Sequence, residues 1–324
     1  EEHQDIIGEQ DLAIPLLDYT WMQRLLHFYI FSGNPHFVPF EEHRLHLENR
    51  LRLSGVLEQR SIDFLNNRAV TGRLTSSVRK LDSIKEIVDF EYAPLGERLR
   101  MVVLADYIRK EFYSSGSTNN LDINRLGVLP IFEKLRRTNT TKAKLAVLTG
   151  SIILIPSEAK EAFIQKAASI GIEDIRFTSV PYDANYLRVE PHERLKHQVV
   201  PVVTQLFQAG YIEVLIGTKA LLGEGWDAPA INALILASFV GSFVLSNQMR
   251  GRAIRTEKGN PHKTSNIWHL VCLDPSLPNG GADFLTMQRK FKAFVGVSFH
   301  DDGGIENGVG RLDMPFDNLD ADRV

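Results

Sequence analysis

Cysteine is almost absent from this chain, whose 324 residues include only Cys272. A single cysteine excludes an internal disulfide framework and is typical of proteins that fold in a reducing compartment. We therefore expect a cytoplasmic location. Cys272 lies in the apolar run NIWHLVCLDP, and we interpret it as a small, buried hydrophobic residue.

Long apolar runs and a strong net charge are also absent. The sequence contains no run of 18 apolar residues and no signal-peptide pattern, so we expect no membrane contact. A net charge of -3, with 44% hydrophobic and 24% charged residues, is that of an ordinary globular protein. Local charge is less even, because residues 43–80 carry eight Lys or Arg against three Asp or Glu. This basic stretch is either a solvated helix face or a contact for phosphates.

Metal-ligand and nucleophile patterns are missing as well. His192 and His197 stand five residues apart, whereas two zinc ligands on one helix stand four apart. His269 lies in an apolar run, where we interpret it as a core residue. No G-x-S-x-G pattern occurs, so spacing assigns no nucleophile. We expect no metal to be held by the residues of this chain.

The pattern of apolar residues divides the chain into three parts. Residues 1–93 show mainly helical spacing, and we interpret them as a helical accessory or linker segment. Residues 94–275 alternate helical patterns with short apolar runs, which predicts an α/β fold with a parallel sheet flanked by helices. Residues 276–324 read as a C-terminal extension that is partly loop. The predicted strands are RMVVLAD, KLAVLTG, IRFTSVP, IEVLIGT, INALILAS and NIWHLVCLD.

The segment IEVLIGTKALLGEGWDAPAINALILAS places a glycine-rich turn after a strand. Parallel sheets bind ligands beyond the carboxyl ends of their strands. The turn at Gly217 and Thr218 offers free backbone amides and a hydroxyl, which suit a phosphate. Asp227 is able to accept hydrogen bonds from a sugar hydroxyl. An ordinary strand-to-helix loop remains the alternative, and we interpret Trp226 as a packing residue rather than a base-stacking one.

The segment SNQMRGRAIRTEKG combines arginines with a glycine inside a predicted helix. Gln248, Arg252 and Arg255 stand at positions i, i+4 and i+7, so a continuous helix projects all three from one stripe. Two guanidinium groups on one stripe repel each other unless they share an anion, and their planar geometry suits phosphate oxygens. Gly251 removes a side chain that would obstruct that approach. A surface helix with exposed arginines is the alternative.

Together these segments resemble the C-terminal RecA-like domain of superfamily 2 helicases and translocases. GTKALLGEGWD is similar to motif V of that family, and QMRGRAIR matches the Q-x-x-G-R-x-x-R form of motif VI. RLRMVVLADYIRKEF stands where the family places its first strand and motif IV, and KLAVLTGS stands where the next strand follows. The likeness covers roughly residues 94–275.

The resemblance implies a role for each motif residue. It makes Arg252 and Arg255 arginine fingers that reach the γ-phosphate of ATP, with Gln248 helping to position them. It places a second set of residues against the nucleotide: Gly225, Asp227 and Gly251. It places a third set against the nucleic-acid backbone: Gly217, Thr218 and Lys219.

The phosphate-binding loop of such a motor is absent from the sequence. No G-x-x-x-x-G-K-[ST] pattern and no Asp-Glu-x-[His/Asp] box in a suitable position occurs. The resemblance therefore implies that ATP and Mg²⁺ are bound mainly by an N-terminal RecA-like half of the same polypeptide. We expect the 324 residues, which begin without methionine, to be a fragment that is inactive by itself.

Three functions stay open on the sequence alone. One is that the chain is the second motor half of an ATP-dependent helicase or translocase. DNA is favoured over RNA as its substrate, because the GEGWD sequence of motif V is similar to that of DNA-acting members. The second is a non-catalytic helicase-like module that docks a partner protein or nucleic acid. The third is another nucleotide-binding α/β enzyme, such as a nucleotide-sugar transferase, although two arginines beyond the sheet edge argue against it.

Overall fold

Apolar residues at helical spacing form two helices near the start of the chain. Helix α1 (Tyr19–Phe31) and helix α2 (Glu41–Leu53) are joined by a 3₁₀ turn. Asp18 caps α1, because its carboxylate accepts a hydrogen bond from the backbone N–H of Trp21 at 2.7 Å. The predicted helical N-terminal segment is confirmed. The computed structural model describes residues 18–53, 56–58, 60–64, 79–190, 193–218, 226–237, 243–273, 280–299 and 303–312.

These two helices belong to a compact unit that comprises residues 1–74 and 273–324. Strands β1 (Leu57–Glu58) and β2 (Ser61–Ile62) form an antiparallel pair in the same unit. Its small core is built from side chains of the helices and strands: Ile30, Leu51, Val56, Leu57 and Ile62.

The second compact unit comprises residues 75–272 and begins with helix α3 (Arg79–Leu95). Leu81, Ile84 and Val88 recur at helical spacing and are buried in the main core, as their spacing predicts. The buried carboxylate of Glu91 accepts hydrogen bonds from Asn266 Nδ2 at 2.9 Å and from Trp268 Nε1 at 2.7 Å. Helix α3 is therefore fixed to the sheet by apolar packing and by one buried acceptor.

One mainly parallel sheet forms the centre of this unit. Its described strands follow the order β10-β9-β3-β8-β4-β5-β7-β6, and the first five of these are parallel. Every residue of β3, β4, β8 and β9 is buried, as expected for parallel strands covered on both faces. The strands are β3 (Met101–Ala105), β4 (Leu145–Leu148), β5 (Ile153–Pro156), β6 (Arg176–Val180), β7 (Asp183–Glu190), β8 (Val214–Thr218), β9 (Ala233–Leu236) and β10 (Asn266–His269).

An antiparallel extension at one edge differs from the expected parallel sheet. β5 pairs antiparallel with β4, and β7 pairs antiparallel with both β5 and β6. The IRFTSVP run is a strand, as predicted, but it forms a hairpin with β7. The sequence did not predict β5 or β7. β7 reads DANYLRVE and mixes exposed with buried residues, so it lacks the continuous apolar run that marks the central strands.

Helices cover both faces of the sheet, which confirms the predicted α/β layering. Helices α3 and α4 contribute to the core on one face, and helices α5, α7 and α8 contribute to the core on the other. The helices after α3 are α4 (Val128–Arg137), α5 (Lys160–Ala168), the short α6 (Glu193–Lys196), α7 (Val199–Gln208) and α8 (Phe243–Ala253).

Gly210 ends α7, as a glycine at the close of a helix commonly does. Its φ is +87°, in the left-handed region that glycine adopts without steric cost. The Gly210 N–H donates to Phe207 O at 3.3 Å, and the Tyr211 N–H donates to Leu206 O at 3.0 Å. These two bonds form a Schellman motif, so the chain turns directly from α7 towards β8.

Glu213 immediately precedes β8, and the ionisation of its carboxyl makes the stability of the protein depend on pH. Burial raises the pKa of its carboxyl, although the Lys144 N–H, Lys144 and Arg100 act against that shift. A raised pKa means that the folded state binds more protons than the unfolded state above about pH 4.3, so stability falls as pH rises through the raised pKa.

We expect Glu213→Gln to unfold at a higher temperature than the wild type near pH 8, with a difference that shrinks near pH 4. The amide oxygen is still able to accept the hydrogen bond from Lys144 N, which is 3.0 Å long in the wild type. Thermal unfolding followed by circular dichroism at both pH values measures this. Glu173→Gln, at an exposed position, is the matched control. If Glu213→Gln raised the unfolding temperature equally at both pH values, the gain would not come from titration of the Glu213 carboxyl.

The C-terminal part of the first unit contains helix α9 (Ala282–Phe291) and the antiparallel strands β11 (Val295–Val297) and β12 (Ile305–Asn307). The described part of this extension therefore contains regular structure as well as loop. Of the helices in the described part of the chain, none has the length and apolarity that crossing a membrane requires.

Two expectations about the end of the sheet need adjustment. Cys272 is only partly buried, so it is not the fully buried residue that its apolar run predicts. His269, the last residue of β10, is also partly buried rather than part of the core. Both lie at or beyond the end of an edge strand, where no further strand covers them within the described sheet.

Candidate nucleotide and nucleic-acid interface

The carboxyl ends of β3, β8 and β9 lie side by side at one edge of the sheet. Ala105 of β3 stands beside Thr218 of β8, and Leu104 pairs with both Gly217 and Leu236. Gly217 and Thr218 are thus the last residues of a central strand, and both are largely buried. Lys219 and Gly225, which the sequence assigns to the same interface, lie outside the described residues.

An ion pair joins the two glycine-bearing motifs. Arg255 Nη1 donates to Asp227 Oδ1 at 2.5 Å, although the two residues are 28 positions apart in sequence. Both side chains remain open to solvent, with 50% of Arg255 and 56% of Asp227 exposed. An ion pair at this exposure is worth about 0–1 kcal/mol, so it orients the guanidinium and leaves it open to a ligand.

Helix α8 ends earlier than the motif predicts. It stops at Ala253, so Arg255 lies beyond the helix and does not share a helical stripe with Gln248 and Arg252. The last turn tightens, because the Arg255 N–H donates to Arg252 O at 3.4 Å rather than to the carbonyl four residues back. Arg255 therefore reaches Asp227 from a turn and not from a helix face.

The remaining motif residues of α8 differ in exposure. Gln248 is exposed, and Arg252 is half-buried. Gly251 is exposed, and a Cβ built at this position would meet no atom within 4 Å outside the helix backbone. The surface above Gly251 is therefore open, which is compatible with the close approach of a ligand that the sequence suggests.

Lys263 and Ser265, which the sequence analysis missed, fix the end of α8. Lys263 Nζ donates to Ala253 O at 3.0 Å and to Arg255 O at 2.6 Å. Ser265 Oγ lies 2.6 Å from Ala253 O and 2.7 Å from Ile231 O. Burial lowers the pKa of Lys263, although Glu257 acts against that shift. A cation on the last carbonyls stabilises a helix end, so these residues position Arg255.

Trp226 is a packing residue, as interpreted from the sequence. Its side chain is buried, and Nε1 donates to Thr204 Oγ1 at 2.7 Å. The ring of Phe207 lies 6.5 Å away between centroids. Trp226 ties the segment before β9 to helix α7 and is not placed to stack on a base.

Metal ligands do not cluster in the parts of the chain that the structure describes. Within those ranges no group of three or more His, Cys, Asp or Glu side chains is arranged to hold a metal ion. His192, one of the two histidines weighed above, lies outside the described residues.

Comparison with known proteins yields similarity of fold. No protein-family model matches the chain, and no curated protein sequence matches it. The C-terminal part of the Fun30 ATPase domain is 11% identical over 78% of this chain, with a TM-score of 0.32. Mss116p DEAD-box helicase domain 2, bound to an RNA duplex, is 8% identical over 61% of this chain, with a TM-score of 0.33. The Hef helicase domain of Pyrococcus furiosus is 14% identical over 77%, with a TM-score of 0.31.

The chain spans 60%, 50% and 35% of the lengths of these three structures. At such identities each likeness is one of fold alone.

Proposed function

We propose that this chain is the second motor half of an ATP-dependent nucleic-acid helicase or translocase. The observation that carries the proposal is the Asp227–Arg255 ion pair, which joins the GEGWD segment to the QMRGRAIR segment. In a protein that used the arginines only for solubility, nothing would require the two motifs to meet.

The residues present fit the triphosphate of ATP. Arg255 is half-exposed on an ordered turn, and Arg252 lies on the neighbouring helical turn beside the open surface of Gly251. Guanidinium groups are the donors that suit phosphate oxygens. ATP with Mg²⁺, held mainly by an N-terminal RecA-like half, supplies the phosphoryl group that is transferred to water.

Each residue has a separate task in this proposal. Arg252 and Arg255 stabilise the negative charge on the γ-phosphate, and Gln248 helps to position them. Asp227 holds Arg255 in place until the nucleotide is bound, and then contacts the nucleotide together with Gly225 and Gly251. The exchange of the Arg255 guanidinium between Asp227 and phosphate couples the nucleotide to the strand ends.

Nucleic acid binds at the carboxyl end of β8 in this proposal. Gly217, Thr218 and Lys219 contact the sugar–phosphate backbone through amides, a hydroxyl and an ammonium group. Backbone contacts of this kind carry no sequence information, so binding tolerates any sequence. We favour DNA over RNA because the GEGWD sequence of motif V is similar to that of DNA-acting helicases.

The test is ATP turnover by the full-length polypeptide, measured alone, with duplex DNA and with duplex RNA of the same sequence. We expect turnover that nucleic acid stimulates, with stronger stimulation by DNA. Binding of nucleic acid without any turnover would replace the motor by the non-catalytic binding module. Stronger stimulation by RNA would reverse the substrate preference and leave the motor in place.

A further inference from the structure

We propose that Tyr107 is a stacking platform for a nucleobase of a single-stranded nucleic acid, an inference that rests on the proposed function. Tyr107 follows β3 by two residues and leaves 62% of its surface exposed. Arg109 covers one face of the ring, because its Cζ lies 4.6 Å from the ring centre. The other face is therefore the one available to a planar ligand.

The position of Tyr107 follows from the register of the sheet. Ala105, the last residue of β3, stands beside Thr218, the last residue of β8. Neighbouring strands are about 4.8 Å apart. Tyr107 is two residues beyond Ala105, and consecutive Cα atoms are about 3.8 Å apart. The Cα atoms of Tyr107 and Thr218 therefore lie within roughly 12 Å of each other. One nucleic-acid strand is able to contact Thr218 through its backbone and Tyr107 through a base.

The backbone around Tyr107 is held rigidly at the start of α4. Tyr107 O accepts the N–H of Val128 at 2.8 Å, and Ile108 O accepts the N–H of Leu129 at 3.1 Å. A Cβ at Gly127 would lie 2.4 Å from Arg109 Cγ and 2.9 Å from Tyr107 O, so this close contact requires glycine. Because the backbone is fixed before binding, only the side-chain torsions of Tyr107 have to be ordered when a base stacks on the ring.

Arg109 adopts a left-handed backbone conformation, which is unfavourable for a residue with a side chain. Its φ is +59°, in the left-handed region that costs a residue with a side chain about 1–3 kcal/mol. This conformation brings the guanidinium back over the Tyr107 ring, where it supports the ring from behind. Strain of this kind persists where the surrounding structure requires a particular geometry.

The charges of the loop favour stacking over phosphate binding. Arg109, Lys110 and Arg125 are balanced by three nearby acidic residues of the same segment: Asp106, Glu111 and Asp122. Such a balance produces no positive field for the phosphate backbone. Aromatic stacking needs none, because every base offers a π-face. Tyr107 is thus expected to contribute affinity that depends little on salt.

The experiment compares Tyr107→Ala with the wild type in the full chain, using a short oligothymidylate and an abasic oligonucleotide of the same length. We expect Tyr107→Ala to weaken binding of the oligothymidylate by about 5- to 150-fold, since stacking on one aromatic residue is worth that much. Binding of the abasic strand should be equal for both proteins. The slope of log Kd against log salt should not change, because no phosphate contact is removed.

Two variants serve as controls. Tyr107→Phe keeps the ring and should bind as the wild type does. Tyr211→Ala removes a tyrosine that is 41% exposed at the opposite edge of the sheet, just before β8, and should also bind normally. Two outcomes would overturn the stacking role of Tyr107 while leaving the proposed function in place. Tyr107→Ala would bind the oligothymidylate as tightly as the wild type, or it would lose as much affinity for the abasic strand as for the oligothymidylate. Failure of the wild type to bind any nucleic acid would overturn the proposed function as well.

Discussion

Arg252→Ala is expected to lower nucleic-acid-stimulated ATP turnover about 10³- to 10⁵-fold, which is the range that arginine fingers contribute in NTPases. Arg255→Ala is expected to have an effect of the same order. In the proposed mechanism both guanidinium groups stabilise charge on the γ-phosphate, and that charge grows in the transition state. Turnover by the full-length polypeptide at saturating DNA and ATP is the measurement.

The loss should appear in kcat, while the affinity for ATP changes much less. An interaction made mainly in the transition state lowers kcat without weakening substrate binding to the same extent. Direct binding of a fluorescent ATP analogue separates these two effects. Lys258→Ala is the matched control, because Lys258 is an exposed cation in the turn after α8. Full turnover by Arg252→Ala would show that Arg252 is not an arginine finger and would make α8 a scaffold helix.

The central strands could be predicted from the sequence because burial on both faces leaves a clear pattern. β3, β4, β8 and β9 are short, wholly buried runs, and each coincides with a predicted strand. β7 could not be predicted in this way, since it lies in the antiparallel edge and mixes exposed with buried residues without a regular period. The end of α7 was predictable because Gly210 is a local signal that needs no tertiary contact.

The site was predictable in its residues but not in its geometry. Periodicity placed Arg255 on a helical stripe, whereas the helix ends at Ala253. That end is fixed by Lys263, ten residues later, and by Ser265 after a turn that brings the chain back. The contact between Arg255 and Asp227 spans 28 residues, and no local pattern encodes it. The roles of these residues in binding and catalysis stay predictions.

Glu133→Ala is expected to cost about 3–5 kcal/mol of unfolding free energy, the usual result of removing one partner from a buried ion pair. The Glu133 carboxylate is fully buried and accepts two bonds from Arg136, with Nη2 at 2.8 Å and Nε at 3.3 Å. Arg137 Nε adds a third bond at 3.3 Å. Without Glu133, both guanidinium groups keep their desolvation cost but lose their main counter-charge.

The loss should spread beyond helix α4, because the two arginines connect separate parts of the unit. Arg136 also binds Asp183, in the hairpin between β6 and β7, at 3.0 Å. Arg137 binds Leu121 O at 2.8 Å and Asn119 Oδ1 at 3.3 Å, within the long segment that follows β3. Glu133 therefore holds together the antiparallel edge and the segment that carries Tyr107.

Denaturant unfolding measures the free energy of unfolding of three variants: Glu133→Ala, Glu133→Gln and Glu161→Ala. Comparing them separates the contribution of the Glu133 charge from that of its packing. Glu133→Gln keeps the volume and one acceptor, so its loss should be smaller than that of Glu133→Ala. Glu161 is exposed on α5, and its replacement should change stability by no more than about 0.5 kcal/mol. Hydrogen exchange should show faster opening of residues 106–127 and 176–190 in Glu133→Ala. A loss confined to α4 would mean that Arg136 and Arg137 do not couple these segments.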